Sequence, residues 1–128
     1  EIAQCLVGSE MCIETDRDGY YYFTWSKNDT RSVDYEVRYV RSKSPVGPIE
    51  PSESQVILCK KPDQGIFATG HHSVMQLPGK DEWRIVYHRF KFPDAVTMGR
   101  KAGFHREVCI DKMEFDEDGK IKRITPTL

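Results

Sequence analysis

The chain has 128 residues, which is enough for the core of one domain but too short for two of ordinary size. Its 19 Lys and Arg residues nearly balance its 20 Asp and Glu residues, and without a basic surface we expect no nucleic-acid partner. No apolar stretch approaches the roughly 18 residues of a membrane-spanning helix, so we expect no membrane partner either.

Segments rich in β-branched and aromatic residues, separated by turn residues, predict an all-β chain. Tyr35–Arg41 alternates apolar and charged residues, which is typical of a half-exposed antiparallel strand. Gly-containing turns at 17–19, 78–81 and 116–119 predict tight hairpins, and no segment of helical length has an amphipathic period. The eight predicted strands, in chain order, are Met11–Thr15, Gly19–Ser26, Tyr35–Ser42, Gln55–Lys60, Ser73–Leu77, Trp83–Phe90, Arg106–Phe115 and Lys120–Ile124.

Two strand pairs follow the same layout about sixty residues apart. A titratable side chain, Glu10 in one pair and His71 in the other, begins the first strand, and an aromatic-rich strand follows after a polar turn. These aromatic strands are Tyr20–Trp25 and Trp83–His88. Repeated hairpins are typical of radial β architectures such as propellers, whose innermost strands face a shared channel. We therefore expect about two four-stranded antiparallel blades, with Glu10 and His71 in one pocket.

The cysteines do not have the spacing of a metal site. The chain contains no C-x-x-C pair, and its four histidines do not supply the complementary spacing of a zinc module. The four cysteines are Cys5, Cys12, Cys59 and Cys109. We therefore expect no structural zinc, and we interpret Cys12, Cys59 and Cys109, which have apolar or strand-forming neighbours, as buried, reduced thiols that act as small hydrophobic residues.

Five pieces of the sequence, in their order along the chain, resemble glycoside hydrolase family 43, which includes xylosidases, arabinofuranosidases and arabinanases. They are Glu10 ahead of Gly19–Tyr22, Tyr35–Tyr39 leading to Ser42–Pro48, Thr69–Ser73, Trp83–His88, and Arg106–Asp111 ahead of Phe115–Gly119. The likeness covers nearly the whole chain, but only the C-terminal part of that catalytic domain. It implies that residues 1–128 are the C-terminal portion of a five-bladed β-propeller whose N-terminal blades are absent.

The resemblance implies hydrolysis of glycosidic bonds with inversion, in oligosaccharides derived from xylan or arabinan. In such a mechanism one carboxylic acid protonates the leaving oxygen, and a carboxylate about 6.5–9.5 Å away activates a water molecule. Glu10 resembles the general acid by its position before the Gly-Tyr-Tyr turn. The base aspartate and the aspartate that tunes the acid's pKa match no residue here, because in the family they precede the part that is present.

The resemblance also implies roles for a histidine and an arginine. His71 resembles the propeller-centre histidine, which in many members contacts calcium or another ion at the floor of the sugar pocket. Side chains alternate along a strand, so His72 should face outward or pack between blades. Arg106 resembles the arginine that reaches the sugar hydroxyls or the acid, and its fork of donors suits vicinal hydroxyls.

Plainer interpretations of these side chains stay open. Both histidines could satisfy local backbone groups, and Arg106 could pair with Glu107 or Asp111 at the surface. Phe67 could offer an apolar face to a sugar ring, but an aromatic side chain in a propeller is more often part of the core between blades.

The expected partner is a pentose-containing oligosaccharide or polysaccharide. Each blade of a propeller buries its faces against its neighbours, so we also expect self-association or contact with the missing N-terminal blades. Two alternatives stay open: a catalytically incomplete sugar-binding or assembly fragment, favoured by the unmatched aspartates, and an unrelated small β-sandwich binding module. The compartment is undetermined, with a periplasmic or secreted location slightly favoured.

Overall fold

The computed structural model describes residues 12–29, 31–46 and 49–127, which form two antiparallel β-sheets. The first sheet contains, in chain order, β1 (Cys12–Arg17), β2 (Tyr20–Lys27), β3 (Glu36–Ser42) and β4 (Gln55–Leu58). The second sheet contains β5 (Gly70–Gln76), β6 (Trp83–Phe90) and β7 (Arg106–Met113). Seven of the eight predicted strands are therefore confirmed, and the aromatic strands β2 and β6 each take the second position in their sheet.

Helical structure is confined to short connections in the described residues. The helix α1 covers only Asp94–Thr97, and 3-10 turns cover Pro51–Glu53, Pro62–Gln64 and Gly99–Phe104. No helix among these residues is long and apolar enough to span a membrane.

The predicted eighth strand, Lys120–Ile124, does not add a fourth strand to the second sheet. Ile121 forms an isolated bridge with Phe115, and the Ile124 amide donates to the carbonyl of Ile57 on β4 at 2.7 Å. The C-terminal segment thus passes from the second sheet to the edge of the first. The apolar residues of this segment are buried as its pattern predicts, since Ile121 and Ile124 both lie in the core. The strand that the segment contacts, however, belongs to the other sheet.

The sharp turn between β1 and β2 follows from its two residues. Asp18 has a φ of 50° and Gly19 a φ of 83°, and two successive positive φ values suit the type I′ turn of a two-residue hairpin. The predicted hairpin is confirmed, with Arg17 opposite Tyr20 in the antiparallel register.

The main core lies between the two sheets, which pack face to face. On β3, Val37 and Tyr39 are buried while Glu36 and Arg38 are half-exposed, so the predicted alternation is confirmed. Burial of a large apolar side chain stabilises the fold by about 1.5–3 kcal/mol. The core side chains come from β2, β3, β4, β6, β7 and the C-terminal segment: Tyr22, Val37, Tyr39, Ile57, Leu58, Trp83, Ile85, Tyr87, Met113, Ile121 and Ile124.

The outer face of the second sheet, which is the face turned away from the first sheet, carries exposed apolar side chains. Val86 on β6 lies opposite Ile110 on β7, and Val108 lies two residues before Ile110 on the same face, opposite His88. Val108 is 74% exposed and Ile110 is 61% exposed. These neighbouring side chains form an exposed apolar patch on this face.

The two sheets are also joined at their turns. Arg17, at the β1–β2 turn, donates two hydrogen bonds to Asp81, at the β5–β6 turn, over 3.0 and 2.7 Å. The Trp83 indole N–H donates to the same carboxylate at 2.8 Å. These donors, Arg17 first, lower the pKa of Asp81 to about 2.

A buried hydrogen bond joins the sheets at the opposite end. The His72 imidazole Nε2 lies 2.7 Å from the hydroxyl of Thr24 on β2, and both side chains are buried. Burial, with a smaller contribution from His71, lowers the pKa of His72 to about 4, so this imidazole is neutral at pH 7.

We expect Thr24→Val to lower the free energy of unfolding by about 1–3 kcal/mol, because His72 loses a buried partner. Urea unfolding of the protein carrying this chain measures the loss. Thr24→Ser keeps the hydroxyl and should lose less, and the exposed Thr125→Val is the control, with an expected change below about 0.5 kcal/mol. A loss for Thr24→Ser as large as for Thr24→Val would assign the effect to packing of the methyl group.

Candidate functional site

Three of the predicted site residues, Phe67, His71 and Arg106, lie at one end of the two sheets. Cys12, which begins β1, pairs with Trp25 near the end of β2. The backbone N–H of His71, at the start of β5, donates to the hydroxyl of the next β2 residue, Ser26, at 2.8 Å. Because β6 runs antiparallel to both of its neighbours, its end also meets the start of β7 there, with Phe90 opposite Arg106.

The side chains of the adjacent histidines lie on opposite faces of the second sheet. His72 packs between the sheets, whereas His71 is exposed and stacks on His88, with ring centroids 5.2 Å apart and planes 18° apart. His71 lies within an irregularity of the β5–β6 register and has a φ of 52°, a left-handed conformation that is uncommon for residues other than glycine. Such irregularities redirect a side chain.

His88 connects His71 to the inner part of the site. Its imidazole is half-buried and also stacks on the ring of the fully buried Tyr35, with centroids 6.1 Å apart. Burial, then the charge of Arg106, then His71 lower the pKa of His88 to about 4. His88 is therefore neutral at pH 7.

The Arg106 guanidinium lies beside the same imidazole. Its Nη1 donates to His88 Nδ1 at 3.4 Å, its Nε donates to the carbonyl of Gly103 at 3.1 Å, and its carbon lies 4.6 Å from the centre of the Phe90 ring. Burial lowers the pKa of Arg106.

The two acidic residues that could have paired with Arg106 have other partners. Glu107 accepts a hydrogen bond from Arg89 at 3.1 Å. Asp111 is buried and accepts from the Tyr87 hydroxyl at 2.6 Å and from the Thr127 hydroxyl at 2.6 Å.

Phe67 is half-buried just before β5. It packs against a small cluster formed by Tyr35, Ala68, Phe90 and Ala102, and its carbonyl accepts the N–H of Phe90 at 3.1 Å. Phe67 and Arg106 therefore both contact Phe90. Contact with a sugar stays a prediction for Phe67, as it does for His71 and Arg106.

An open cavity of about 350 Å³ lies on the outer face of the second sheet, beside His71. This volume falls in the range of small-molecule sites. Among the predicted sugar contacts only His71 lines the cavity. Arg106 does not line it but contacts His88, which does. The lining residues are His71, His72, Ser73, Val86, Tyr87, His88 and Val108.

The predicted acid, Glu10, lies outside the described residues, so its distance from His71 stays a prediction. So does its proposed role, which depends on the family resemblance.

Calcium takes six to eight oxygen ligands. Within residues 12–29, 31–46 and 49–127, no group of three or more His, Cys, Asp or Glu side chains could hold a metal ion. His71 contributes one imidazole and no oxygen ligand of its own, and in the family such a histidine often contacts the ion through water. A calcium ion beside His71 therefore stays a prediction, and no step of the function proposed below runs through it.

The sequence reasoning did not single out His88 or Tyr35 as site residues. Alternation along β6 could have placed His88 on the face opposite the buried Ile85 and Tyr87. Its contact with His71 depends on the irregular register between Gly70 and Ser73, for which the sequence carries no clear signal.

One family accounts for this arrangement of strands and side chains. The profile of Glycosyl hydrolases family 43 matches residues 10–121, which include Glu10, Phe67, His71 and Arg106. The chain belongs to this family.

Individual family 43 relatives agree with that assignment. A protein of Aspergillus niger named beta-D-galactofuranosidase xynD is 36% identical over 112 residues, covering 88% of this chain and 30% of that protein. A thermostable family-43 glycoside hydrolase of known structure is 33% identical, with a TM-score of 0.74, over 93% of this chain and 36% of that one. The family 43 protein BlXynB from Bacillus licheniformis is 28% identical, with a TM-score of 0.75, over 94% of this chain and 23% of that one.

The chain thus spans between about a quarter and about a third of each of these family 43 relatives. The two sheets are blades of a five-bladed β-propeller, as the resemblance to the family implied.

Gly70 should be essential to the geometry around Tyr35. A Cβ at this position would lie 2.5 Å from two carbons of the Tyr35 ring, so Gly70→Ala must displace the ring on which His88 stacks. We expect a loss of about 1–3 kcal/mol in the free energy of unfolding, measured with urea. Gly103→Ala is the matched control, because its Cβ would meet nothing closer than 3.6 Å. Equal stability of the two variants would contradict the close approach.

Proposed function

We propose that the protein carrying this chain is a glycoside hydrolase that cleaves oligosaccharides derived from xylan or arabinan, with inversion. Family 43 membership supports the reaction class. One observation carries the proposal to this chain: His71 and Arg106 both contact the imidazole of His88. The contact lies at the end of the sheets where β1, β5 and β7 begin.

The general acid in this proposal is Glu10, and its carboxyl group protonates the oxygen of the leaving sugar. That role requires a pKa raised toward neutrality, which burial and a nearby second carboxylate would supply. The base that activates water is an aspartate elsewhere in the same protein, about 6.5–9.5 Å from the acid, as inversion requires.

Arg106 and Phe67 bind the sugar in this proposal. The Arg106 guanidinium is planar and presents donors in a fixed fork, which matches a pair of neighbouring hydroxyls. Its contact with the Phe90 ring and the Gly103 carbonyl limits how far it can rotate. Phe67, which packs against the same cluster as Phe90, would give an apolar face to the ring of the sugar.

Family 43 membership supports the substrate class, which needs a test against the relatives. The Aspergillus niger protein is named for a galactofuranoside, whose sugar has six carbons, whereas xylan and arabinan are built from pentoses. Hydrolysis of a panel of aryl xylosides, arabinofuranosides and galactofuranosides distinguishes these classes. A preference for the galactofuranoside would overturn the pentose part of the proposal.

We expect Glu10→Gln to lower kcat on xylo- and arabino-oligosaccharides by about two to four powers of ten, because an amide cannot protonate the leaving oxygen. Aryl glycosides with acidic leaving groups need less proton transfer and should lose much less. Kinetics of both substrate types in the protein carrying this chain, with sugar affinity as the control, test the assignment. Equal losses on both types would indicate that Glu10 supports the fold alone.

We also infer that the exposed face of β7 mediates contact with further propeller blades or with a second copy. Val108 and Ile110 lie there beside Val86, and exposed apolar neighbours of this kind favour association.

Sedimentation of the 128-residue chain should therefore show self-association at micromolar concentration. Replacing Val108 and Ile110 together by lysine should shift the chain toward monomer, because two charges then oppose burial of that face. Lys112→Gln, an exposed change on the same strand, is the control. A compact monomer for the unmodified chain would contradict the inference.

A further inference from the structure

His88 has no role in the reaction proposed above, yet it contacts Arg106, which the proposal places at the sugar, and His71, which the sequence predicts there. Its ring stacks on His71, and its Nδ1 lies 3.4 Å from Nη1 of Arg106. It also stacks on Tyr35, which is fully buried and therefore fixed.

We propose that His88 is a positioning residue, which holds the Arg106 guanidinium in the orientation that binds the sugar by accepting its hydrogen bond at Nδ1. The inference rests on the proposed function, because it concerns the arginine that binds sugar in that proposal.

The direction of the hydrogen bond follows from the chemistry of the two groups. A guanidinium has donors and no acceptor, so Nδ1 of His88 must accept, and the ring proton of the neutral imidazole then lies on Nε2. The low pKa of His88, caused first by burial, agrees with a neutral imidazole. A protonated ring would present a second donor and a second positive charge to Arg106.

The imidazole is in turn fixed by its neighbours. Gly70 lies opposite His88 in the β5–β6 register, and the absence of a side chain at Gly70 admits the Tyr35 ring. Stacked rings of this kind favour one orientation of the imidazole. Tyr35 therefore holds the His88 ring in place, and His88 in turn orients Arg106.

Two substitutions separate the acceptor from the ring. In His88→Asn, the side-chain oxygen can occupy the place of Nδ1 and accept from Arg106, but the ring is lost. In His88→Phe, a ring can stack on Tyr35 and His71, but no acceptor remains. We expect kcat/KM on a pentose substrate to fall about 10- to 100-fold in His88→Phe, the size of effect that a misplaced binding group produces, and by less than about 3-fold in His88→Asn.

A double-mutant cycle tests whether His88 acts through Arg106. In an Arg106→Met background, His88→Phe should lower kcat/KM by less than about 2-fold, because there is no guanidinium left to position. His105→Phe is the matched control: the exposed His105 pairs with Asp94, a weak surface contact, and its loss should change kcat/KM by less than about 2-fold.

Crystal structures of the two His88 variants of the protein carrying this chain give a readout independent of activity. The Arg106 guanidinium should keep its position in His88→Asn and move in His88→Phe. Three results would overturn the inference: an unmoved guanidinium in His88→Phe, an equal loss of activity in both variants, or an equal loss with and without Arg106. Failure of the unmodified protein to hydrolyse any glycoside would overturn the proposed function instead, and the structures would still decide the role of His88.

Discussion

Three consecutive residues at the start of β5 fix how the second sheet packs on the first. Gly70 approaches the Tyr35 ring so closely that a Cβ would lie 2.5 Å from it. The backbone N–H of His71 and the imidazole of His72 then bond to two hydroxyls on β2, at 2.8 and 2.7 Å. A small shift of β5 would break all three contacts at once, so the relative position of the sheets is determined at this end.

The same three residues create the surface of the site. The irregular register gives His71 a φ of 52°, a conformation that costs a residue with a side chain roughly 1–2 kcal/mol. His72 enters the core while His71 lies on the outer face beside His88, as alternation along a strand requires. Local strain is often kept at functional positions when the surrounding contacts enforce it. Here those contacts also hold the sheets together, so the fold and the candidate site depend on one short segment.

The strands could be predicted from the sequence, because a period of two and glycine turns are local signals that burial reinforces. Lys120–Ile124 shows the limit: its apolar residues are buried, but Ile124 bonds to Ile57 in the other sheet, and no local pattern reveals a partner in another sheet. Of the candidate site, His71 and Arg106 do both contact one side chain, His88, and their roles at the sugar stay predictions. The residue that joins them, His88, was missed because its contacts depend on the cross-strand register and on the irregularity at Gly70.

The cavity beside His71 and the exposed face of β7 are continuous, because Val108 belongs to both. Any polypeptide that covers Val108 and Ile110 must therefore also form a wall of that cavity. In a propeller such a polypeptide is a neighbouring blade, whose packing contributes both stability and side chains facing the ligand. A substitution at Val108 therefore changes both the exposed face and the cavity wall, and so does one at His88, which lies opposite Val108 and lines the same cavity.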